Sequence, residues 1–493
     1  MRRQARTAGQ KTRLLTVSNR GPVEFHRDED GKVIAVPGQG GLATALRVAA
    51  QLYPTTWLSS PMTPVDREMA GGGFAPGDTE SESLFVAADP KAYDLFYGCF
   101  ANEVLWFLQH SLPLPEEELT AERIEEAWRD GYVAVNQAFA DRIVEELQTG
   151  AFRAVIFHDY HFYVSPRLVR EKRPEAYLQQ FVHIPWPSPE VWERLEPEIV
   201  HRICDGLLAN DSLVFQTPDS ARAFLMTCRA VLADATVDLI ESTVEHAGHG
   251  TRVWSNGISV DIEELAEAEE SPEFSRYRYL LRPSPGQKTI VRVDRLDPTK
   301  NIIAGFEAYA RLLEDHPELH ERVHFLAQVF PSRSDVATYV RYQDEVQAVV
   351  QSINRRFGSL HWKPIRLLFE HNRMQALAAM SLYDVLLVNP LADGMNLVAK
   401  EGPMLNTRDG VLVLSKRAGA FAELGCAAIG IDPQDVEVTK DALYTALTMT
   451  PIERRERAVR LRQTVRQRDL RDWFRALLAD IEGHAPVPTT SAA

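Results

Sequence analysis

Cysteine is scarce: Cys99, Cys204, Cys228 and Cys426 are the only four in 493 residues, and no CxxC pair occurs. That spacing excludes a disulfide-built scaffold and the common zinc-binding patterns, so the thiols read as reduced and the protein as cytoplasmic. No apolar run approaches the roughly 18 residues of a membrane helix. The basic opening MRRQARTAGQKTR lacks the long apolar stretch and small-residue cleavage site of a secretory signal, and residues 1–12 are expected to form a disordered tail. Positive charge is also in short supply. With 54 Lys+Arg against 69 Asp+Glu the net charge is −15, which argues against nucleic acid or an anionic membrane as partner. An anionic ligand would need a local basic site. The dinucleotide fingerprint GxGxxG with a downstream acid is missing, and no 20- to 50-residue repeat is evident.

The chain does hold 45% hydrophobic and 25% charged residues over a length that one core does not comfortably support, so two domains are expected. Short apolar runs bounded by turn residues recur at Leu14 to Val17, Ala154 to Phe157, Gln180 to Val182, Leu213 to Phe215, Thr289 to Val293, His324 to Val329, Val385 to Val388 and Val411 to Leu414. They read as strands buried on both faces of parallel sheets. Helical patterns alternate with them at Thr120 to Leu147, Ser220 to Leu232, Ile302 to Leu313 and Ser334 to Phe357. The fold class is therefore α/β, doubly wound. The stretch AEAEESPEFSRYRYLLRPSPGQ, residues 266–287, reads as a linker between a first domain at 13–265 and a second at 288–465. An amphipathic helix is expected within 466–483, and a Pro/Thr/Ala-rich disordered tail at 484–493.

Ligands of open α/β sheets bind beyond the carboxyl ends of the strands, so the strand exits are where chemistry is sought. LLTV leads through SNRGPVEF to PGQGGLATAL, where Gly40 and Gly41 open a helix and could admit a phosphate; they fit a plain tight turn equally well. VIFHDYHF and FVHIPWPSP place His158, Asp159, Tyr160 and His183 at two consecutive exits, the second stiffened by Pro185 and Pro187. VDRLDPTKN sets Arg295 and Lys300 around a Pro turn into a helix, where both could face one diphosphate or be solvated surface charges. VLLVNPLADGMNLVAKEG ends a buried strand in Asp393 and starts a helix carrying Lys400 and Glu401, with backbone NH groups from Met395 to Val398 as donors. Asp393 fits a simple N-cap equally well, and Glu401 a solvated helix residue. Together these exits suggest an anionic, sugar-like ligand without naming a reaction.

The segments SNRGPV, GQGGL, YGCFANEVLW, FHDYHF, VHIPWPSPE, FQTPDSARAFL, SNGISVD, RVDRLDPTKN, PSRSDV, LVNPLADGMNLVAKE and VLSKRAGA, in this order over about residues 14 to 480, resemble the trehalose-6-phosphate synthase family. The resemblance is to its actinobacterial branch, among the retaining glycosyltransferases of family 20. It implies a GT-B fold of two Rossmann-like domains facing a central cleft, an acceptor-binding first domain, a nucleotide-sugar-binding second domain, and a C-terminal helix crossing back to the first. It also implies transfer of glucose from UDP-glucose or GDP-glucose to glucose 6-phosphate, giving α,α-trehalose 6-phosphate without cofactor or metal. A related enzyme with a cyclitol or polyol phosphate acceptor, or a non-catalytic sugar-phosphate sensor, are the alternatives. By the same resemblance Gly40, Gly41, His183, Arg295, Lys300, Asp393, Asn396, Leu397, Val398 and Glu401 bind the donor. Arg20, Tyr97, Trp106, Asp159, Tyr160 and Arg333 bind the acceptor, and Asp159, His183, Arg295, Lys300 and Asp393 carry catalysis. Homo-oligomers and a separate phosphatase acting on the product are further expectations. The chain departs from many family members at Thr299-Lys300-Asn301, where they read SKG.

Overall fold

Runs of β-branched and large apolar residues can bury both faces of a strand only inside a sheet covered by helices, and the structure places every such run there. The computed structural model describes residues 13–38, 41–70, 82–115, 119–333 and 336–484. Gly40, Ser334, the tail at 1–12 and the tail from residue 485 lie outside the described residues. The chain divides into two compact units: Asn256 closes the first, Gly257 to Leu470 make the second, and the chain from Arg471 belongs to the first again.

Among the described residues the first unit holds a nine-stranded sheet. Its order is Glu82–Phe85, Thr55–Ser59, Arg13–Val17, Phe152–His158, Leu178–Val182, Ser212–Phe215, His249–Ser255, Thr243–His246, Thr236–Asp238. The first seven pair in parallel and the last two turn back antiparallel. The sheet of the second unit is wholly parallel and six-stranded among the described residues, ordered Ile365–Phe369, Val323–Phe330, Lys288–Arg295, Val385–Val388, Val411–Ser415, Ile429–Ile431. In both units the first strand of the sheet lies inside, flanked on one side by the next strands in sequence and on the other by a strand reached through a reversal of direction. That reversal is the topological switch point of a doubly wound sheet, where loops splay apart. It falls between Arg13–Val17 and Phe152–His158 in the first unit and between Lys288–Arg295 and Val385–Val388 in the second.

The expected helices form, with local reasons for their ends. Thr120 accepts from the Arg123 NH at the start of a continuous helical stretch that reaches Leu147 and widens over Ala127–Val133. Thr217 caps Pro218–Val231 in the same way. The segment expected to be a linker is instead two helices, Ile262–Glu270 and Pro272–Leu281, and the unit boundary lies earlier. Asp261 and Ser271 are their N-caps, Pro272 sits where a helix tolerates proline, and Leu265, Ala268, Phe274 and Leu281 supply a buried face. The acidic and polar residues that looked like a linker are the solvent side of those helices. The last helix runs Leu470–His484, so His484 is helical rather than part of a tail. Its Trp473 is fully buried against Phe181, and the Trp473 carbonyl accepts from Asn256 Nδ2 at 3.1 Å. No helix among the described residues is long and apolar enough to cross a membrane.

Candidate active site

At the switch point of the second unit, the loop after Arg295 and the loop after Val388 are neighbours because their strands pair. Leu391 NH donates to the Thr299 carbonyl at 2.8 Å, which ties the two loops together. Lys300 Nζ consequently reaches Asp393 Oδ2 at 2.5 Å, and Asn396 Nδ2 donates to the same oxygen at 3.0 Å. Asp393 is therefore no N-cap: the helix Val398–Leu405 starts five residues later, behind Leu397, which provides no side-chain cap. The NH groups of Asn396, Leu397 and Val398 precede its first internal bonds and make an electropositive rim. Asn396 holds a left-handed conformation at φ 73°, which turns the chain sharply there. Arg295, at the strand exit, is exposed.

Glu401 is not a solvated helix residue either. It is buried, and its Oε1 lies 3.3 Å from Arg373 Nη1, while Arg373 also reaches Glu264 at 3.4 Å. Lys400 points the other way, into the unit, where Nζ donates to the Ile258 carbonyl at 2.8 Å and pairs with Glu423 at 2.8 Å. It anchors the helix and is turned away from the strand exits. Asp297, buried within DPTKN, accepts from Thr299 NH and hydroxyl at 3.0 and 2.8 Å and from Arg333 Nη1 at 3.1 Å. Burial opposes its ionisation, but Arg333, Arg295 and Lys300 outweigh that and hold its carboxyl at about 2. Arg333 lies in this second unit, in a left-handed conformation, with Tyr339 as a further partner. Sequence reasoning missed Asp297 and Arg373. The first lies within the Pro turn between the two expected cations, and the second follows Ile365–Phe369, a strand outside the expected runs.

The switch point of the first unit gathers the other candidates. Arg20 leaves the first strand and donates to Tyr97 Oη at 3.4 Å; Tyr97 stacks on Tyr93 and on His161. Trp106 is buried with its ring 5.6 Å from that of Tyr160, whose hydroxyl donates to Asn102 at 2.7 Å. Asp159 stands at a positive φ of 69° with ψ −171°, a backbone region uncommon for a residue with a side chain. Its carboxylate accepts from His183 NH at 3.3 Å. The His183 ring lies between Gln216 Nε2, 3.2 Å from Nδ1, and His158 Nδ1, 3.1 Å from Nε2. Gln216 donates, so His183 accepts at Nδ1 and carries its proton on Nε2, giving it to His158. Burial pushes His158 down to about 3, and burial together with His158 pushes His183 well below its ordinary value. Both rings are neutral at physiological pH. Gly41 begins the helix Gly41–Leu52 after the antiparallel hairpin of Val23–Arg27 and Val33–Pro37; Gly40 lies outside the described residues.

The arrangement offers Lys300 and helix-start amides beside Asp393 in one unit, and in the other Arg20 with the rings of Tyr97, Tyr160 and Trp106 at the switch point that carries Asp159. A family model described as Glycosyltransferase family 20 matches residues 12–483. The chain is 31% identical over 97% of its length to a probable alpha,alpha-trehalose-phosphate synthase (UDP-forming) 2 of Arabidopsis thaliana, of which it spans only 58%. It is 32% identical over 96% of its length to the alpha,alpha-trehalose-phosphate synthase (UDP-forming) of Schizosaccharomyces pombe and spans 91% of that protein. Among solved structures it resembles an alpha,alpha-trehalose-phosphate synthase (UDP-forming) from Burkholderia xenovorans in complex with glucose-6-phosphate. The TM-score is 0.80 at 27% identity, covering 96% of this chain and 100% of the other.

Proposed function

This chain belongs to glycosyltransferase family 20, and from that premise we propose that it transfers glucose from a nucleotide-diphosphate glucose to glucose 6-phosphate, forming α,α-trehalose 6-phosphate. The observation that carries the reading is the cluster at the second switch point: Lys300 and Asn396 are held on Asp393, the amides of Asn396 to Val398 stand at the helix start just after it, and Arg295 lies at the exit of the paired strand. A departing nucleotide diphosphate gains negative charge in the transition state, and fixed cations and helix-end dipoles stabilise it where that charge appears. Asp393, held by Lys300 and Asn396, is oriented to accept hydrogen bonds from sugar hydroxyls. Glu401, buried beside Arg373, accepts from the ribose. UDP-glucose is the donor we favour, because the relatives named above are UDP-forming; GDP-glucose is the competitor.

Arg20 and Arg333 supply guanidinium donors for the acceptor phosphate, and Tyr97, Trp106 and Tyr160 supply faces for its ring. Asp159 is held by the His183 NH and accepts from an acceptor hydroxyl. His183 spends both ring nitrogens on Gln216 and His158, so it serves the donor sugar through contact with its neutral ring and not as an acid. Retention of configuration proceeds, in this reading, on the leaving group's own face, with the departing phosphate oxygen taking the acceptor proton. The positive charge at the leaving group comes from side chains, so no metal is assigned a role. The buried thiols Cys99, Cys204 and Cys228 fit a reducing, cytoplasmic setting, and a separate phosphatase would consume the product.

The test supplies UDP-glucose or GDP-glucose with glucose 6-phosphate and reads the product by NMR. An α,α-1,1-linked disaccharide phosphate is the expected outcome. Failure with both donors, together with nucleotide diphosphate release when a cyclitol or polyol phosphate is supplied, would replace glucose 6-phosphate as acceptor.

A further inference from the structure

Arg292 is a fully buried guanidinium in the middle of a parallel strand, one residue before the last apolar position of that strand. A charge in such a place is stable only when every donor finds an acceptor. Asp294 Oδ2 takes Nε at 3.0 Å and Nη2 at 2.8 Å. The remaining reach goes to backbone: Nη2 donates to the Lys300 carbonyl at 3.0 Å and Nη1 to the Ile302 carbonyl at 3.1 Å. Between those two carbonyls stands Asn301, left-handed at φ 56°, whose own carbonyl accepts from Asn389 Nδ2 at 3.1 Å. Three consecutive carbonyls of the turn are thus pinned from beneath, and the Asn301 side chain is tied to the Pro433 carbonyl at 2.7 Å. Space for the guanidinium exists because residue 305 is glycine; a Cβ there would meet Arg292 Nη1 at 2.6 Å.

We propose that Arg292, with Asp294 as its counter-ion, is the positioning residue for Lys300: it fixes the backbone of the turn so that the ammonium is presented to the donor diphosphate. This rests on the reading of Lys300 as a diphosphate ligand. The turn carries Asn301 where a glycine would reach the left-handed conformation without strain, and the pinning of its carbonyls holds it there. The arginine fork is needed because one group must span two carbonyls and a carboxylate; a lysine cannot do so.

The experiment measures binding of UDP and of uridine, by calorimetry, to the full chain and to Arg292→Lys, Gly305→Ala and Lys300→Gln. Gly305→Ala displaces the guanidinium with a methyl group that a helix accepts, so it perturbs Arg292 without removing a buried charge. The expected result is a rise of at least about tenfold in the UDP dissociation constant for both Arg292→Lys and Gly305→Ala, with uridine binding unchanged. Adding either change to Lys300→Gln should produce no further loss of UDP. A loss of UDP binding in Lys300→Gln alone, with native values in the other two, overturns the proposal and leaves the reading of Lys300 standing. Native UDP binding in Lys300→Gln overturns that reading instead. Equal weakening of UDP and uridine would show a general structural role and also refute positioning.

Discussion

Acid should unfold the first unit through its buried histidine pair, and the size of the effect follows from the structure. His158 is buried, its Nδ1 accepts from His183, and burial pushes it down to about 3. In the unfolded chain the same imidazole titrates at about 6.5. Below that value the unfolded state binds a proton the folded state refuses, so stability is fully present above pH ~6.5 and falls as the pH drops through it toward the folded value. At pH 5 the gap is ~1.5 pH units, and at about 1.4 kcal/mol per unit His158 alone removes about 2 kcal/mol relative to pH 8. His183 acts in the same direction. The assay is urea unfolding followed by tryptophan fluorescence at the two pH values, for the native chain and for His158→Gln. The variant should lose about 2 kcal/mol less stability on acidification than the native chain. Comparing the two chains cancels groups remote from His158, including His324 of the second unit, which burial also pushes down, to about 4. An equal loss in both chains would refute the reasoning.

Two further outcomes are expected. Gly206 lies where its helix crosses the segment Tyr163-Val164 so closely that a Cβ would meet the Tyr163 carbonyl oxygen at 2.2 Å; Gly206→Ala should therefore cost about 3 kcal/mol in urea unfolding, since backbone cannot yield as a side chain can. Arg333→Lys removes the fork that Asp297 holds and should raise the KM for glucose 6-phosphate by roughly ten- to a hundredfold, with the KM for the nucleotide sugar little changed, in initial-rate kinetics.

Much of this protein could be read without its coordinates because parallel strands announce themselves. VLLV, LLTV and VLVLS are apolar on both faces and bounded by turns, and each is a buried strand. The motif-bearing exits followed from the same logic, since a doubly wound sheet places chemistry after its strands. Some elements that bury only one face were silent. The hairpin Val23–Arg27 and Val33–Pro37 mixes polar and apolar residues, and the two helices between Asp261 and Leu281, the first acidic on its outer side and the second opened by Ser271-Pro272, read as linker. Roles that depend on partners distant in sequence were also out of reach. Whether Asp393 caps a helix or receives Lys300, whether Glu401 is solvated or faces Arg373, and which way Lys400 points are questions of which strands are neighbours. Sequence by itself determined the residue types and their places at strand ends, because those follow from local pattern. Only the tertiary structure decided their pairings and charge states, because burial and proximity across the switch points set which carboxylates stay ionised and which imidazoles stay neutral.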